Sequence, residues 1–471
     1  MKGPAGETPL VFLLYFGIDK FLIMKFRPHL FLLLFFPVLV CCRCLDKAEE
    51  MNPIQLSDED LMDLVQNKTF QYFWEGAEPT SGMARERIHM DGVYPENDQN
   101  VVTTGGTGFG LMAILVGIER GFISREQGFQ RILKIIGFLE KSDRFHGVWP
   151  HWLEGETGRV KPFGWDDNGG DLVETAFLVQ GLLTVRQYFA NGNQAEKDLA
   201  NKIDALWKQV EWSWHVKQDE KVLLWHWSPD YGFQKNHTIR GYDETLITYI
   251  LAASSPTFFI DPDLYHHGWA RNGGIRNQGK PYGIPLTLRH NGAEEMGGPL
   301  FWAHYSYLGL DPRGLKDQYA DYWEHNVNHT LINRAWCIAN PGGFKGYGEN
   351  SWGLTASYSI NFYAAHRPGE DEGVISPTAA VSSIPYTPEY SLQVMRHWYE
   401  SFGEKLFGPF GFYDAFSETA NWFPQKYLAI DQGPMVVMIE NYRSGLLWDL
   451  FMSSPEIKEG LRKLGFQSPH L

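Results

Sequence analysis

The sequence is poor in cysteine, with four among its 471 residues. Three of them, Cys41, Cys42 and Cys44, lie close together near the N-terminus, and Cys337 is the fourth. Such an arrangement cannot build a disulfide framework, and it does not supply the spaced thiolates of a structural zinc site. We therefore expect packing alone to stabilise the fold, without a disulfide and without a cysteine-bound metal.

Positive charge is also scarce, because 41 Lys and Arg residues stand against 56 Asp and Glu residues and leave a formal net charge of −15. Binding to phosphates requires a basic surface. This balance argues against nucleic acid and against anionic lipid as partners. It is compatible with a neutral polyol as the substrate.

Several motifs of other enzyme classes are missing. No Gly-x-Ser-x-Gly elbow precedes a predicted helix, and the pair His266–His267 lacks the helical spacing of a zinc protease. The glycine-rich segment 105–110 lacks the Lys-Ser/Thr of a phosphate-binding loop. We expect this segment to serve close helix packing, and we expect the protein to use no metal and no cofactor.

Aromatic residues are abundant at 15% of the chain, with 17 Trp and 22 Tyr. Part of this excess serves the core, but Trp and Tyr beyond that need suit stacking against sugar rings. The composition therefore favours a carbohydrate-binding cleft.

The N-terminal region has the layout of an export signal. Met24 is followed by Lys25 and Arg27, then by the apolar stretch 30–40, and then by Cys41 and Cys42. We predict that translation starts at Met24, that residues 1–44 form the export segment, and that 45–57 form a linker. A lipid on Cys41 or Cys42 would anchor a bacterial lipoprotein in the periplasm or outer membrane; ordinary cleavage without a lipid is the alternative.

Helical periodicity dominates residues 58–471, which we interpret as one catalytic domain. Nearly all-apolar segments alternate with amphipathic ones, as in a toroid with an inner and an outer ring of helices. Short strands are predicted within 146–153 and 222–227, and helices near 61–73, 108–120, 124–141, 171–188, 195–216, 243–253, 295–307, 312–334, 376–382, 388–402 and 433–452. These features predict an all-α (α/α)6 barrel; a long bundle or a solenoid is the alternative.

Segment 164–174 is the densest polar stretch of the chain. It places Trp165, Asp167, Asp171 and Glu174 around two glycines, just before a predicted helix. The helix dipole favours ionised carboxylates there. An Asp in front of a helix is commonly only a cap, but capping does not explain so many acids beside a Trp. We expect Asp167 or Asp171 to act in the site and Glu174 to be structural.

Segment 240–245 repeats this layout, with Gly241 before Asp243 and Glu244 at the start of an apolar helix, and with Trp227 upstream. An apolar, aromatic environment raises the pKa of a Glu toward the proton-donating range. Glu244 is therefore our candidate for the general acid of a glycosidase.

Two later segments have similar chemistry. Asp414 lies in an aromatic loop with Tyr413 and Trp422, where it could activate water or hold a sugar hydroxyl. Asp431 precedes a Gly-Pro pair and another apolar helix. Two carboxyl groups that flank a glycosidic bond are the minimum for hydrolysis.

With these segments in view, the chain resembles the glucoamylase-like proteins of glycoside hydrolase family 144. The motifs that carry the resemblance are GTGFGL at 106–111, WDDNGGDLVETAFLVQGLL at 165–183, GYDET at 241–245, LGLDPRGLKDQYADYWEHNVNHTLIN at 308–333, GYGENSWGLTAS at 346–357, GVISPTAA at 373–380 and LAIDQGPMVVMIENYRSGLLW at 428–448. The likeness covers roughly residues 58–460.

The resemblance implies an (α/α)6 barrel that hydrolyses β-1,2-glucan or its oligosaccharides without a metal, by endo action or by release of sophorose. Motif by motif, it implies Glu244 as the acid, with Asp414 as the first candidate for the base and Asp171 as the second. The predicted substrate contacts are Asp167, Trp165, Trp227, Tyr242, Tyr413, Trp422 and Glu349. We expect a monomer whose only membrane contact would be the lipid anchor.

Two alternatives belong to other functional classes. A non-catalytic, surface glycan-binding lipoprotein could reuse the same barrel. A lyase acting on acidic glycans would need cationic groups for a uronate, and acids outnumber the obvious cationic residues of the candidate segments.

Overall fold

The computed structural model describes residues 56–471, so the predicted export segment 1–44 and most of the predicted linker lie outside the described residues. The α-helices are α1 (Asp58–Trp74), α2 (Thr104–Glu119), α3 (Arg125–Leu139), α4 (Leu172–Phe189), α5 (Gln194–Lys208), α6 (Leu246–Ser254), α7 (Tyr322–Ala339), α8 (Pro377–Val381), α9 (Pro388–Phe402), α10 (Ala429–Arg443), α11 (Leu446–Met452) and α12 (Pro455–Lys463).

The strands are two to four residues long and pair antiparallel. They are β1 (Arg87–His89), β2 (Val101–Thr103), β3 (Trp152–Glu154), β4 (Val160–Lys161), β5 (Gly170–Asp171), β6 (Val216–Lys217), β7 (Val222–Leu224), β8 (His226–Trp227), β9 (Thr238–Ile239), β10 (Arg276–Gly279), β11 (Leu286–Leu288), β12 (Ala356–Ser359), β13 (Phe362–Ala365), β14 (Phe407–Gly408), β15 (Gly411–Phe412) and β16 (Lys426–Leu428).

Helices of two kinds alternate along the chain and form a two-layered ring. Helices α2, α4, α6, α8 and α10 are buried almost all round, whereas α3, α5 and α9 each bury one face. Helix α2 packs between α4 and α10, α4 also packs on α6, and α8 packs on α10. The predicted helical toroid is confirmed, with the apolar helices inside.

Besides these five inner helices, the inner layer contains one irregular element, which lies between α6 and α8 in the chain. We predicted a helix over 295–307, but the structure has two 3-10 turns, Leu300–Ala303 and Tyr305–Tyr307. Side chains from other elements bind the carbonyl groups that a helix would use. Tyr386 donates to the oxygen of Ala303, at 2.8 Å, and Trp448 donates to that of Tyr307, at 2.7 Å. Together with the contact of His304 and Ser383, at 2.9 Å, these bonds tie the element into the ring.

Other element ends also differ from the prediction. The helix predicted over 433–452 is interrupted at Gly445, whose φ of 75° separates α10 from α11. The helix predicted over 312–334 begins only at Tyr322, where Asp321 caps it by accepting from the amide of Glu324 at 3.2 Å. The amphipathic helix predicted to residue 216 ends at Lys208.

Glycines set the distance between the two inner helices α2 and α4. A Cβ on Gly108 would lie 2.2 Å from the carbonyl oxygen of Phe177, and a Cβ on Gly181 would lie 2.2 Å from the carbonyl oxygen of Gly108. The two helix backbones therefore touch where a side chain would hold them apart. This contact confirms the packing role that we expected for the glycine-rich segment 105–110.

The described residues contain one cysteine, Cys337, which is buried and free. Among residues 56–471, none of the helices has both the length and the apolar character that crossing a membrane would require.

We predict that Gly181→Ala destabilises the protein by about 2–3 kcal/mol, because the new methyl group overlaps the α2 backbone, which cannot yield as a flexible side chain would. Gly137→Ala in α3 is the matched control, since a Cβ on Gly137 would project into open space, with no atom of a neighbouring residue to meet within 4 Å. That control should gain about 0.5–1 kcal/mol from helix propensity. Urea unfolding of both variants measures the difference, and equal effects would contradict the close-packing argument.

Candidate active site

The starts of the inner elements and the loops before them meet at one face of the ring and enclose two adjoining chambers. The first chamber has a volume of about 340 Å³ and the second of about 520 Å³. They share part of their lining, namely Trp225, Glu244, Phe301, Ala356 and Tyr363. The two chambers therefore form one cleft, and Glu244 lies where they meet.

The first chamber combines carboxyl groups with aromatic rings. Its acids are Glu86 from the segment before β1, Glu174 from the first turn of α4, and Glu244 from the turn before α6. The aromatic lining consists of Trp152, Phe163, Phe177, Trp225, Phe301, Tyr305, Tyr358 and Tyr363, together with His151. Such a surface can stack against sugar rings and place acids beside them.

Glu244 is partly exposed to the cleft and lies two residues before α6, not in its first turn as we expected. Its carbonyl oxygen accepts a hydrogen bond from Ser306, which in turn accepts from the amide of Ile247 at 3.1 Å. Burial, and then the charge of Asp243, raise the pKa of Glu244 well above its ordinary value. These surroundings favour the protonated form of the side chain, which is the form that can donate a proton.

Glu174 also faces the first chamber, although we expected it to be structural. Its Oε2 accepts a hydrogen bond from the amide of Gly105 at 2.8 Å, which ties α4 to the start of α2. Burial raises the pKa of Glu174 to about 7, and the nearby His151 acts in the opposite direction. Glu174 is therefore both a structural group and an ionisable group of the cleft.

Asp171 caps α4 and belongs to a charged network behind the first chamber. Its Oδ1 accepts from the amides of Val173 and Glu174, at 3.0 and 2.9 Å, and its Oδ2 lies 3.1 Å from Nδ1 of His151. Burial disfavours the imidazolium, but Glu174 and Asp171 outweigh it and raise the pKa of His151 to about 10. His151 therefore brings a positive charge to the wall of the chamber.

Asp167 is buried in the same network, with Oδ2 at 3.0 Å from Nζ of Lys235 and 3.2 Å from Nδ1 of His226. Burial opposes ionisation, but these two partners outweigh it and hold the pKa of Asp167 well below its usual range. Asp167, Asp171 and His226 are close enough together to ligate a cation. Lys235 and the protonated His151 already balance the two carboxylates, so the site needs no metal for charge neutrality.

Asp414 is buried and lines neither chamber. Its Oδ2 accepts from the amide of Tyr358 at 2.7 Å, while its Oδ1 and both side-chain oxygens of the neighbouring Asp431 are buried without a donor. Two neighbouring carboxyl groups without such donors disfavour ionisation of both at once, because neither burial nor the other's charge is compensated. Burial raises the pKa of Asp414 to about 6, while burial and the charge of Asp414 raise that of Asp431 well above its ordinary value.

The other predicted substrate-contacting residues lie either near the opening of the cleft or in the interior of the protein. Trp165 is 71% exposed and stands edge-on to Tyr231, with ring centroids 5.2 Å apart, two residues beyond the chamber residue Phe163. Trp227 pairs through β8 with the strand that contains Asp171. Trp165 and Trp227 thus lie near the cleft without lining a chamber.

Tyr242 is fully buried, with its hydroxyl 2.7 Å from Oδ1 of Asn326. Tyr413 is buried against Tyr427, at 4.8 Å between centroids, while Trp422 is partly buried and Glu349 is exposed. None of these four predicted contacts lines either chamber. Their positions do not support a direct contact with a sugar in the cleft.

Sequence reasoning missed most of the chamber wall, including Glu86, Arg87 and His151. Tyr358 and Tyr363 were also missed; they come from the β12–β13 hairpin, where they are cross-strand partners. These residues come from short strands and loops without glycine-flanked acid motifs, so no local pattern distinguished them. Only the fold brings them to the helix starts.

The second chamber has a different character, because cationic groups line much of it. Its wall includes His237, Arg240, Asp243, Arg271, Asn291 and Arg367. Arg240 is paired with Glu220 at 2.6 Å and Arg367 with Glu370. Arg271 instead donates to neutral oxygens, at 2.9 Å to Oδ1 of Asn291.

A family model described as a putative glucoamylase matches residues 236–455. A solved structure of an endo-β-1,2-glucanase from Chitinophaga pinensis, in complex with sophorotriose and glucose, is 67% identical, with a TM-score of 0.87. The match covers 88% of this chain and 100% of that one. An endo-β-1,2-glucanase from Talaromyces funiculosus, at 14% identity and a TM-score of 0.60 over 87% of this chain and 92% of that one, shares the fold.

An exo β-1,2-glucooligosaccharide sophorohydrolase from Parabacteroides distasonis, which acts at the non-reducing end, is 48% identical over 426 residues. The match covers 87% of this chain, which spans 58% of the length of that curated relative.

We predict that Asp414→Asn makes the protein more stable at pH 8 than the wild type by about 1–2 kcal/mol. The raised pKa of Asp414 means that the native state holds a proton more tightly than the unfolded chain, so stability is present at pH 4 and is lost as pH rises through about 6. An Asn carries no titratable proton, and its oxygen can still accept from the amide of Tyr358.

Melting temperatures of both proteins between pH 4 and pH 8 measure this effect, and the two curves should converge at the acidic end. The exposed Asp261 provides a control as Asp261→Asn, which should follow the wild type throughout. A constant difference between Asp414→Asn and the wild type at every pH would contradict the raised pKa of Asp414.

Proposed function

This chain belongs to glycoside hydrolase family 144, the glucoamylase-like family, and on that premise we propose that it hydrolyses β-1,2-linked glucan or its oligosaccharides. The observation that carries the proposal is the position of Glu244 where the two chambers meet, in surroundings that favour the protonated form of its carboxyl group. A glycosidic bond that crosses this junction has sugar on both sides and an acid beside its oxygen.

Glu244 acts as the general acid in this mechanism. Bond cleavage leaves charge on the departing oxygen, and a proton from Glu244 Oε would neutralise it as the bond breaks. Burial and the neighbouring Asp243 raise the pKa of Glu244 and so favour the form that holds this proton. A solvent-exposed Glu would have lost its proton at neutral pH and could not serve as the donor.

The base must be a carboxylate that reaches the same space, and among the residues that line the first chamber these are Glu86 and Glu174. Glu174 has a pKa of about 7 and lies beside the cationic His151, so a substantial part of it is ionised at neutral pH. We propose Glu174 as the base that activates water. Asp171 and Asp414 then support the site from behind, as a cap and as half of a buried pair.

The aromatic wall of the first chamber positions the substrate. The rings of Trp152, Phe163 and Trp225 offer apolar surfaces against which a glucosyl ring can stack. The Chitinophaga pinensis relative, whose structure holds sophorotriose, supports a short β-1,2-linked chain as the occupant. Since one chain supplies the whole lining, we propose that the enzyme acts as a monomer.

Product analysis on a panel of glucans tests this function. We expect oligosaccharides from β-1,2-glucan and none from β-1,3-, β-1,4- or α-linked glucans, because the similar enzymes from Chitinophaga pinensis and Parabacteroides distasonis act on β-1,2-linked glucose chains. The ratio of sophorose to longer products separates exo from endo action. Binding of β-1,2-glucan without any product would favour the non-catalytic glycan-binding alternative and would end the hydrolase proposal.

Glu244→Gln is the matched inactive variant for this assay. It should lower kcat by about 10²–10⁴-fold, which is the usual contribution of general acid catalysis, while binding of oligosaccharides persists. Glu126→Gln on the outer helix α3 is the control, since Glu126 is exposed and bonded to Gln130 at 2.8 Å. Retention of more than about a tenth of wild-type kcat would remove Glu244 from the acid role.

We further propose that the protein is exported and anchored by a lipid. The support is the order of Lys25 and Arg27, the apolar stretch 30–40, and then Cys41 and Cys42. Fractionation of expressing bacteria should recover the protein with membranes, and the double variant Cys41→Ser/Cys42→Ser should move it to the soluble periplasmic fraction. Recovery of the wild type from the cytoplasm would contradict export.

A further inference from the structure

The residue before the proposed acid belongs to a separate hydrogen-bond network. Asp243 is buried, and its Oδ1 accepts from the amide of Thr245 at 2.9 Å and from the Thr245 hydroxyl at 2.5 Å. Its Oδ2 accepts from Nδ2 of Asn291 at 2.7 Å. Three donors thus converge on one carboxylate that lies next to Glu244 in the chain.

Asn291 is held in the orientation that makes it a donor to Asp243. Its Nδ2 also donates to the carbonyl oxygen of Arg240 at 2.5 Å, and its Oδ1 accepts from the guanidinium of Arg271 at 2.9 Å. Its backbone amide donates to the carbonyl oxygen of Tyr242 at 3.0 Å. With the side-chain nitrogen facing two acceptors and the side-chain oxygen facing a cation, the reverse orientation of the side chain would lose these three side-chain bonds.

We propose that Asp243, kept ionised by Thr245 and Asn291, is a positioning residue whose negative charge keeps Glu244 in its proton-donating form. A carboxylate one residue away opposes a second negative charge in the same desolvated turn. The proposal rests on the proposed function, because it assigns a task to Asp243 only if Glu244 is the acid.

The electrostatics of the site agree with this geometry. Burial raises the pKa of Asp243 to about 6, and the bonds from Thr245 and Asn291 limit that rise, so Asp243 is charged at pH 7. For Glu244, burial is the largest cause of the raised pKa and the charge of Asp243 is the next. Above about pH 6, Asp243 therefore makes Glu244 a weaker acid, and below it the effect disappears.

Other groups also act on Glu244. Glu174 and Asp171 on and before α4 add to the raised pKa, and the hydroxyls of Tyr305 and Tyr363 face the same space. Charged and titratable side chains elsewhere on the walls are Glu86, Arg87 and His151 in the first chamber, and His237, Arg240, Arg271 and Arg367 in the second, with Tyr358 beside the first group. A substitution of Asp243 leaves all of these in place.

The test is the pH dependence of kcat on β-1,2-glucan for the wild type and for Asp243→Asn. Removing the charge should move the alkaline limb of the profile to lower pH by about one unit, which lowers kcat about tenfold on that limb. KM should change less than about twofold, because Asp243 acts through Glu244. Below pH 6 the two profiles should converge, since Asp243 of the wild type is then protonated as well.

Two comparisons separate this result from a loss of structure. Asp321→Asn is the matched control, because Asp321 also accepts a hydrogen bond from a backbone amide, but at the start of α7 and outside the lining of both chambers. The alkaline limb of the pH profile of Asp321→Asn should coincide with that of the wild type. Arg271→Gln removes the cation that holds Asn291 and favours the ionised form of Asp243, so its alkaline limb should move to lower pH, in the same direction as in Asp243→Asn, and this variant decides the question if Asp243→Asn does not fold.

An Asp243→Asn profile that lies below the wild type by the same factor at every pH, with unmoved limbs, would overturn the proposal and leave Asp243 a structural cap. A failure of the proposed function would give a different result. In that case the wild type and Glu244→Gln would release the same products, or neither would release any. Hydrolysis by the wild type with a shifted limb in Asp243→Asn supports both.

Discussion

Several carboxyl groups are buried away from water at one end of the helical ring, and the rest of the site depends on this constraint. A buried carboxylate is costly unless partners supply positive charge or hydrogen bonds. The structure meets that cost in different ways for neighbouring acids. Asp167 has the cation Lys235 and the imidazole of His226, whereas Glu244 has neither partner, and its surroundings favour the protonated form instead.

The same constraint separates acids that would otherwise be equivalent. Glu174 lies beside the protonated His151 and titrates near neutrality, while Glu244 lies beside the ionised Asp243 and titrates well above its ordinary value. Pairs of carboxyl groups whose surroundings drive their pKa values apart are the usual basis for dividing acid and base roles. The charged neighbours of the cleft therefore matter as much as the acids that line it.

The ring itself makes these neighbourhoods possible. Buried inner helices start at the same face, and facing glycines let α2 and α4 approach backbone to backbone, which brings Glu174 to the amide of Gly105. The irregular sixth element contributes Phe301 and Tyr305 to the wall, because its carbonyl groups are bound by side chains from other elements and its chain need not be helical. The contacts that pack the ring therefore also place the side chains of the cleft.

The sequence by itself determined the architecture, the substrate class suggested by its motifs, and the proposed acid Glu244. Periodicity and glycine placement are local, so the alternation of buried and amphipathic helices was readable before any contact was known. Only the tertiary structure decided which acids face the cleft. Asp171 and Glu174 are three residues apart at one helix start, and their roles differ because one side chain turns back to cap the helix and the other projects into the chamber. Capping and catalysis use the same residue types, and the direction of a side chain depends on neighbours distant in sequence.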